Sequence, residues 1–321
     1  KIEKYNFIMF KKNKKIGEKW VISKIIKGQS GSICALSFNY LKKIFATGSF
    51  DSKIYLWSMN SFEKLSIFNS KVGAIQSIVF DEKCDYIFSG GNDSLIRQWD
   101  IRSNRIIRKY TGHVSSIIKL IKNPVLNILI SGSRDNTIRL WDFRVQKEIT
   151  ILHGHKNIVT SLLCHRESPH LISGGLDDNL CFWDLVSNKN LLTLKNKDNG
   201  IKEICKLNNH EIFSVLSSGA ISFYRRDGII IKKITNRKNR NNCFTVSSSN
   251  KIAIGCSRGL IKCTNFYNKN GWLLFKPLIC KFFEKYQKQN IAMGFNQKED
   301  QLLVGNQDNI LIFSKRWFLF E

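Results

Sequence analysis

Histidine, serine and aspartate recur in this chain in a pattern that could carry hydrolytic chemistry. The two sets are His113, Ser131, Asp135 and His155, Ser173, Asp177. These residue types can supply a nucleophile, a general base and an orienting carboxylate. The second set repeats the first 42 residues further along, and a nucleophile has no reason to recur at a fixed interval. No GxxxxGK[ST] or HExxH motif is present either. We therefore predict that both sets are structural and that the protein is not an enzyme.

The same interval governs aspartates and tryptophans over a longer stretch. Four aspartates and four tryptophans each keep the 42-residue step: Asp51, Asp93, Asp135, Asp177 and Trp57, Trp99, Trp141, Trp183. Each aspartate stands six residues before its tryptophan. A period of about 40–45 residues that ends in Trp-Asp is typical of a propeller built from four-stranded blades.

Each repeat reads as two strands around a polar turn. The aligned segments are GSFDSKIYLWS (48–58), GGNDSLIRQWD (90–100), GSRDNTIRLWD (132–142) and GGLDDNLCFWD (174–184). Alternating polarity in residues 137–141 predicts a strand with one set of side chains on each sheet face. Further apolar strands are predicted just before, over residues 43–47, 85–89, 128–131 and 170–173.

Three weaker units follow, at residues 213–224, 252–263 and 302–313. The lone strand at 20–26 is predicted to pair beside residues 310–313 and so to close the ring, because open sheet edges invite aggregation. The expected fold is an all-β, seven-bladed propeller closed by this N-terminal strand. The expected organisation is a basic extension (1–19) and a propeller (20–321), with strong repeats at 28–184, degenerate repeats at 197–313 and an insertion at 266–290.

The repeats resemble the WD40 family. That resemblance implies a hydrogen-bonded tetrad of His, Ser or Thr, Asp and Trp within one blade. The implied tetrads are His113, Ser131, Asp135, Trp141 and His155, Ser173, Asp177, Trp183. Gln29 and Lys71 stand near the histidine position of the first two repeats, so those tetrads are expected to be incomplete.

The chain is strongly basic, with 51 Lys and Arg against 25 Asp and Glu and a net charge of +26. One interpretation is an electrostatic surface for RNA. The other is lysine-rich coding bias, with charges scattered over a solvated surface. The candidate RNA contacts are Arg225, Arg226, Lys232, Lys233, Arg237, Lys238 and Arg240.

The nine cysteines form no CxxC pair, so we interpret them as small buried residues in a reducing compartment. No metal or other cofactor is expected. The longest apolar runs are too short to span a bilayer.

The stretch 74–195 further resembles the pleiotropic regulator family, WD40 proteins of the spliceosome's nineteen complex. The similar segments are IIRKYTGHVSSI (106–117), SGSRDNTIRLWDFR (131–144), SPHLISGGLDDNLCFWDLVSNKNLLTL (168–194) and VSSSNKIAIG (246–255). The resemblance implies a non-enzymatic scaffold in pre-mRNA splicing, in the nucleus, acting as a monomer within a larger complex. The implied partners are other spliceosomal proteins, including a Myb-type scaffold and a SKI-interacting-type protein.

Two surfaces are candidate partner sites. The residues before each turn are expected to form a top rim that binds an extended peptide: Phe50, Asn92, Arg134, Leu176, Ser217, Arg258 and Gln307. Trp-Asp-x-Arg occurs twice and resembles the double box of cullin-4 ubiquitin-ligase substrate receptors. That resemblance makes Arg102 and Arg144 candidate adaptor contacts on the opposite face and gives an alternative function, with a local Asp–Arg pair as the structural explanation.

Overall fold

The computed structural model describes residues 18–83, 85–144, 147–165, 168–196, 198–207, 212–218, 220–235, 241–256, 261–265, 278–280, 292–296, 298, 300–306 and 309–317. All secondary structure in these residues is β-strand apart from turns and bends. No helix among them is long and apolar enough to cross a membrane.

Four antiparallel, four-stranded sheets follow one another through the strong repeats. The first is β2 (Ile33–Asn39), β3 (Ile44–Ser49), β4 (Lys53–Ser58) and β5 (Lys64–Asn69). The second is β6 (Ile75–Phe80), β7 (Tyr86–Gly91), β8 (Ile96–Asp100) and β9 (Arg105–Tyr110). The third is β10 (Ile117–Asn123), β11 (Ile128–Ser133), β12 (Ile138–Asp142) and β13 (Lys147–Leu152). The fourth is β14 (Val159–Cys164), β15 (His170–Gly175), β16 (Asn179–Asp184) and β17 (Lys189–Lys195).

The weaker repeats also form sheets. Blade five is β18 (Ile201–Lys206), β19 (Ile212–Ser217), β20 (Ala220–Arg225) and β21 (Ile230–Thr235). The next sheet is β22 (Asn241–Val246), β23 (Lys251–Cys256), β24 (Ile261–Asn265) and β25 (Leu278–Cys280). The closing sheet joins β1 (Glu18–Lys27) to β28 (Asn309–Trp317), β27 (Gln301–Gly305) and β26 (Ala292–Phe295). Its β1–β28 pairing is antiparallel and is the arrangement expected for the N-terminal strand.

The expectation of seven blades needs correction. The described residues form seven sheets of four hydrogen-bonded strands each. In six of these sheets every strand has at least four residues, and we count these six as complete blades. In the sheet that begins with β22, the outer strand β25 has three residues and pairs with β24 only at Ile261, Lys262 and Cys263. This unit lacks the Trp of the strong repeats, and β25 lies inside the predicted insertion. In the part of the chain that the structure describes, there are therefore six complete blades and one reduced sheet.

The sheets pack face to face around a ring. The first strands of neighbouring sheets contact one another, and β26 contacts β2. Each core cluster spans two sheets: Phe88 of blade two packs with Leu129 and Trp141 of blade three. The small residues before the turn allow this approach, since a Cβ added at Gly90 would lie 2.6 Å from Cγ2 of Ile117 in the next blade.

The turn aspartates organise the hairpins between the second and third strands. In each strong repeat the carboxylate accepts the backbone N–H two residues on, as Asp51 does from Lys53 and Asp135 from Thr137. The residue between them has a positive φ, as in Asn136 at 68°. Short polar residues tolerate this conformation and the Asx-turn stabilises it.

A β-bulge interrupts the outer strand of six sheets at the same place. In the closing sheet the register skips Ser23, between the partners of Phe313 and Ile312. In blades one to five it skips one residue opposite the Trp position or its Tyr224 counterpart. The residues skipped in these five blades are all aliphatic and exposed: Leu65, Ile107, Ile149, Leu191 and Ile231. Bulges re-aim side chains, so each of these blades presents one apolar group near its outer edge.

Candidate functional site

Blade three holds a continuous hydrogen-bonded chain of four side chains. Trp141 Nε1–H donates to Ser131 Oγ at 2.8 Å. Ser131 Oγ lies 2.6 Å from His113 Nε2, and His113 Nδ1 lies 2.7 Å from Asp135 Oδ2. Since a carboxylate only accepts, Nδ1–H is the donor to Asp135, and a neutral ring then accepts the Ser131 hydroxyl at Nε2. All four groups are satisfied by this order.

Blade four repeats the arrangement. Trp183 Nε1–H donates to Ser173 Oγ at 2.8 Å, and Ser173 lies 2.7 Å from His155 Nε2. His155 Nδ1 lies 3.0 Å from Asp177, whose carboxylate also accepts the backbone N–H of Lys156 at 2.9 Å. The network thus ties the entry loop of the blade to its central hairpin.

The protonation states suit a static network rather than catalysis. Burial lowers the pKa of His113 despite the opposing effect of Asp135. Burial alone would raise the pKa of Asp135, but hydrogen bonds from Thr137 and His113 lower it to about 2. Ser131 is fully buried and shares its hydroxyl with the indole and the imidazole. A nucleophile must reach substrate, so this serine is structural.

Blade two replaces the loop histidine by an arginine of its third strand, β8, which the sequence analysis missed. Arg97 Nη2 lies 2.5 Å from Asp93 Oδ2, with side chains 6% and 11% exposed. Trp99 still donates to Ser89 at 2.8 Å. The signal was present in the sequence: Arg97 is four residues after Asp93, and even spacing on a strand selects one sheet face.

Blade one divides the network into two parts. Gln29 takes the histidine position and donates to Thr47, which also accepts from Trp57 Nε1–H at 2.9 Å. Asp51 instead accepts from the Tyr55 hydroxyl at 2.8 Å. Tyr55 and Arg97 hold the same position in their repeats, so this strand position compensates wherever the histidine is missing.

The comparison with protein families agrees with this geometry. The model of the WD domain, G-beta repeat family matches residues 20–58, 62–100, 104–142 and 146–184. The chain contains four WD40 repeats. A search of curated proteins found no match. The WD40 β-propeller is typically a non-enzymatic scaffold that mediates protein–protein interactions, and no catalytic family is indicated.

The predicted rim residues of the four WD40 repeats lie on one face, at the turns between second and third strands. Phe50 and Leu176 are 53% and 40% exposed, and Asn92 and Arg134 are also exposed. Each donates its backbone N–H to a carbonyl of the loop that enters its blade, as Phe50 does to Ser32 at 2.9 Å. The equivalent bonds have lengths of 3.0, 2.9 and 2.9 Å from Asn92, Arg134 and Leu176.

The other rim positions differ. Ser217 is buried, and its hydroxyl donates to the carbonyl of Ala220 at 3.0 Å. The turn from β19 to β20 leaves two residues between the strands, against three between β3 and β4, so Ser217 stays within the sheet. Arg258 and Gln307 lie outside the described residues.

The Arg pair of the opposite face lies where the third strands end. Arg144 is committed to its own repeat, since Nε and Nη2 donate to the two oxygens of Asp142 at 3.0 and 2.9 Å. Arg102 donates its backbone N–H to Asp100 at 3.0 Å. The two arginines are therefore not equivalent, and the local Asp–Arg pair is present in blade three.

The predicted RNA contacts are only partly described. Arg225 lies 3.5 Å from Asp227, and Lys233 lies 2.5 Å from Asp198. Arg226 donates to Ser168 at 3.4 Å. Lys232 lies on β21, and Arg237, Lys238 and Arg240 lie outside the described residues. The described cations therefore lie on three segments: Arg225 at the end of β20, Arg226 in the turn that follows, and Lys232 and Lys233 on β21.

Proposed function

We propose that this chain is a scaffold that binds an extended segment of a partner protein across the rim of Phe50, Asn92, Arg134 and Leu176. The observation that carries the proposal is the shared backbone hydrogen bond of these four residues. This bond holds the backbone of the four exposed residues at equivalent positions in their blades. A partner can therefore contact several of them at once, and the propeller loses little conformational entropy on binding.

The chemistry of the rim favours an apolar and acidic segment. Phe50 and Leu176 offer large exposed apolar groups, and Arg134 offers a guanidinium. Aromatic and arginine side chains supply much of the binding energy in protein interfaces, and charge-assisted bonds to a carboxylate strengthen the contact. The net charge of +26 raises the encounter rate with an acidic partner.

We further propose that the scaffold acts in a nuclear pre-mRNA splicing complex of the nineteen-complex type. The support is the resemblance of residues 74–195 to the pleiotropic regulator family, together with the basic surface. The expected partners are a Myb-type scaffold and a SKI-interacting-type protein. The RNA-proximal surface around β21 is part of the same proposal.

The test is affinity purification of the tagged chain, followed by mass spectrometry and detection of small nuclear RNAs. Wild type should retain splicing proteins, and a Phe50→Ala/Arg134→Ala variant should lose them while its thermal unfolding stays unchanged. The matched control is Arg102→Ala/Arg144→Ala, which changes the opposite face. Loss of a cullin adaptor in the control alone would favour the ubiquitin-ligase function and overturn the splicing proposal.

A further inference from the structure

A cavity of about 270 Å³ opens between blades four and five, at the face opposite the rim. Its apolar lining includes Ile172 and Phe182 of blade four and Phe213 of blade five. The polar lining comprises His165, His170, Lys206, Arg226 and Asp227. The cavity is unrelated to the rim, because it lies at the far ends of the same strands.

The cavity exists because blade five lacks an apolar residue that the preceding blades have. The residue two positions after the Trp is Met59, Ile101, Phe143 or Leu185 in blades one to four. Each is packed against a core cluster shared with the preceding sheet. Phe143, for example, meets Phe88 edge-on with ring centroids 5.6 Å apart.

In blade five this position, two after Tyr224, is Arg226. Arg226 is exposed and donates to Ser168 at 3.4 Å. Ile172 stands where Phe88 stands two repeats earlier, and it lines the cavity instead of being covered. Blades one to four fill this position with a compact apolar side chain, which we call the plug. Blade five has Arg226 there instead, so Ile172 at the floor of the cavity stays uncovered.

The mouth of the cavity carries a second apolar group. Leu191, the bulged residue of β17, is 57% exposed and lines the cavity. Its counterparts in other blades, such as Leu65, occupy the same bulge beside a filled position. A ligand entering the cavity would therefore cover exposed leucine as well as the floor.

The charge around the mouth is positive. Lys206 and Arg226 are cationic, and His165 and His170 also line the cavity. The carboxylate that lines the cavity, Asp227, lies 3.5 Å from Arg225 and accepts the backbone N–H of Ile229 at 3.0 Å. A carboxylate on the ligand would therefore be attracted by the positive charges of Lys206 and Arg226.

We propose that this cavity receives one large apolar side chain from a partner protein, and that Arg226 pairs with a carboxylate beside it in the same partner segment. The cavity, at about 270 Å³, is at the small end of the range for ligand pockets, which runs from about 300 to 1,000 Å³. The apolar group takes the place of the plug that Leu185 provides one blade earlier.

The probes are three fluorescein-labelled decapeptides with a central phenylalanine, leucine or tryptophan flanked by glutamates, and three with lysine flanks. Fluorescence anisotropy with the full chain should show binding of at least one acidic peptide and of no basic one. Arg226→Leu restores the plug and should weaken binding roughly tenfold or more, as expected from losing both the space and a charged hydrogen bond. Arg226→Gln keeps the space, so it should retain part of the binding.

Leu191→Ser should weaken binding, whereas Leu65→Ser, the same bulge in blade one, should not. Each variant is checked for an unchanged or raised Tm. The proposal is wrong if no acidic peptide binds, if Arg226→Leu binds as well as wild type, or if both leucine variants behave alike.

Discussion

The guanidinium of Arg97 lies 2.5 Å from the carboxylate of Asp93, and both side chains are nearly enclosed. The pair holds the hairpin of blade two at the place where blades three and four use a histidine. Neighbouring repeats therefore stabilise the same hairpin with different partners for the turn aspartate. Blade two uses an ion pair and blade three a histidine whose pKa is lowered by burial, so these two blades should respond differently to mutation and to pH.

Neutralising Asp93 should destabilise blade two strongly. Asp93→Asn keeps the size of the side chain and its contact with the backbone of Leu95, but it leaves Arg97 buried without a countercharge. Breaking a buried pair in this way costs about 3–5 kcal/mol. Urea unfolding measures the change, with Asp100→Asn at the exposed end of the same strand as the control. Equal unfolding free energies for the two variants would contradict the assignment.

The histidine network of blade three should make stability fall with acid. Burial lowers the pKa of His113 below its usual 6.5 in the folded chain, so the unfolded chain binds more protons as pH falls below 6.5. The pKa of Asp135 is about 2 in place of 3.8, which adds a second loss below about pH 4. Both contributions are fully present at pH 7 and are lost on acidification.

His113→Gln tests this, since Gln29 shows that glutamine fits the position in blade one. Urea midpoints are measured between pH 7.5 and 5. The variant should be less stable at pH 7.5 and should vary less with pH than wild type. A pH dependence identical to that of wild type would rule out His113 as a source of acid sensitivity.

Removing the closing strand should expose the edge of β28. Deletion of residues 1–27 removes β1 and its antiparallel partners on β28, and unpaired edges promote aggregation. Deletion of residues 1–15 leaves β1 intact and serves as the control. Light scattering after purification should rise only for the longer deletion. Equal scattering from both would mean that β1 is not needed for closure.

If the basic segment contacts RNA, its loss should change the salt dependence of binding. Arg237→Ser, Lys238→Ser and Arg240→Ser together should reduce the slope of log affinity against log salt by about 0.7–0.9 for each lost phosphate contact. The matched control removes three cations from blade one and the loop that follows it: Lys43→Ser, Lys64→Ser and Lys71→Ser. Equal slopes in both triple variants would favour scattered charge without a defined RNA surface.

The strong repeats could be predicted because each of their features depends on local spacing. The Asp-to-Trp interval located the hairpin, and the resemblance to the WD40 family assigned the histidines that reach it. The compensating groups were missed because Arg97 and Tyr55 were considered only as strand residues. Their even spacing from the turn aspartate would have identified them.

The weaker half was harder to predict because its turns change length. Ser217 was placed on the rim by register, but the shorter turn keeps it buried. The reduced outer strand β25 cannot be found from a pattern that no longer contains a Trp. The cavity could have been found from the sequence only by comparing Leu185 and Arg226 at one position of the repeat.

The closing pair of strands also sets the order in which the ring assembles. Ser314 and Ser23, hydrogen-bonded at 2.8 Å, are 291 positions apart, whereas the hairpins of blades one to five join neighbours in sequence. Closing a loop of that length costs about 5 kcal/mol of chain entropy. Blades with local contacts therefore gain their structure early, and the seam between β1 and β28 forms late. Separation of β1 from β28 regains this chain entropy. The backbone amides of β1 and β28 should therefore exchange hydrogen with solvent faster than the amides within the blades.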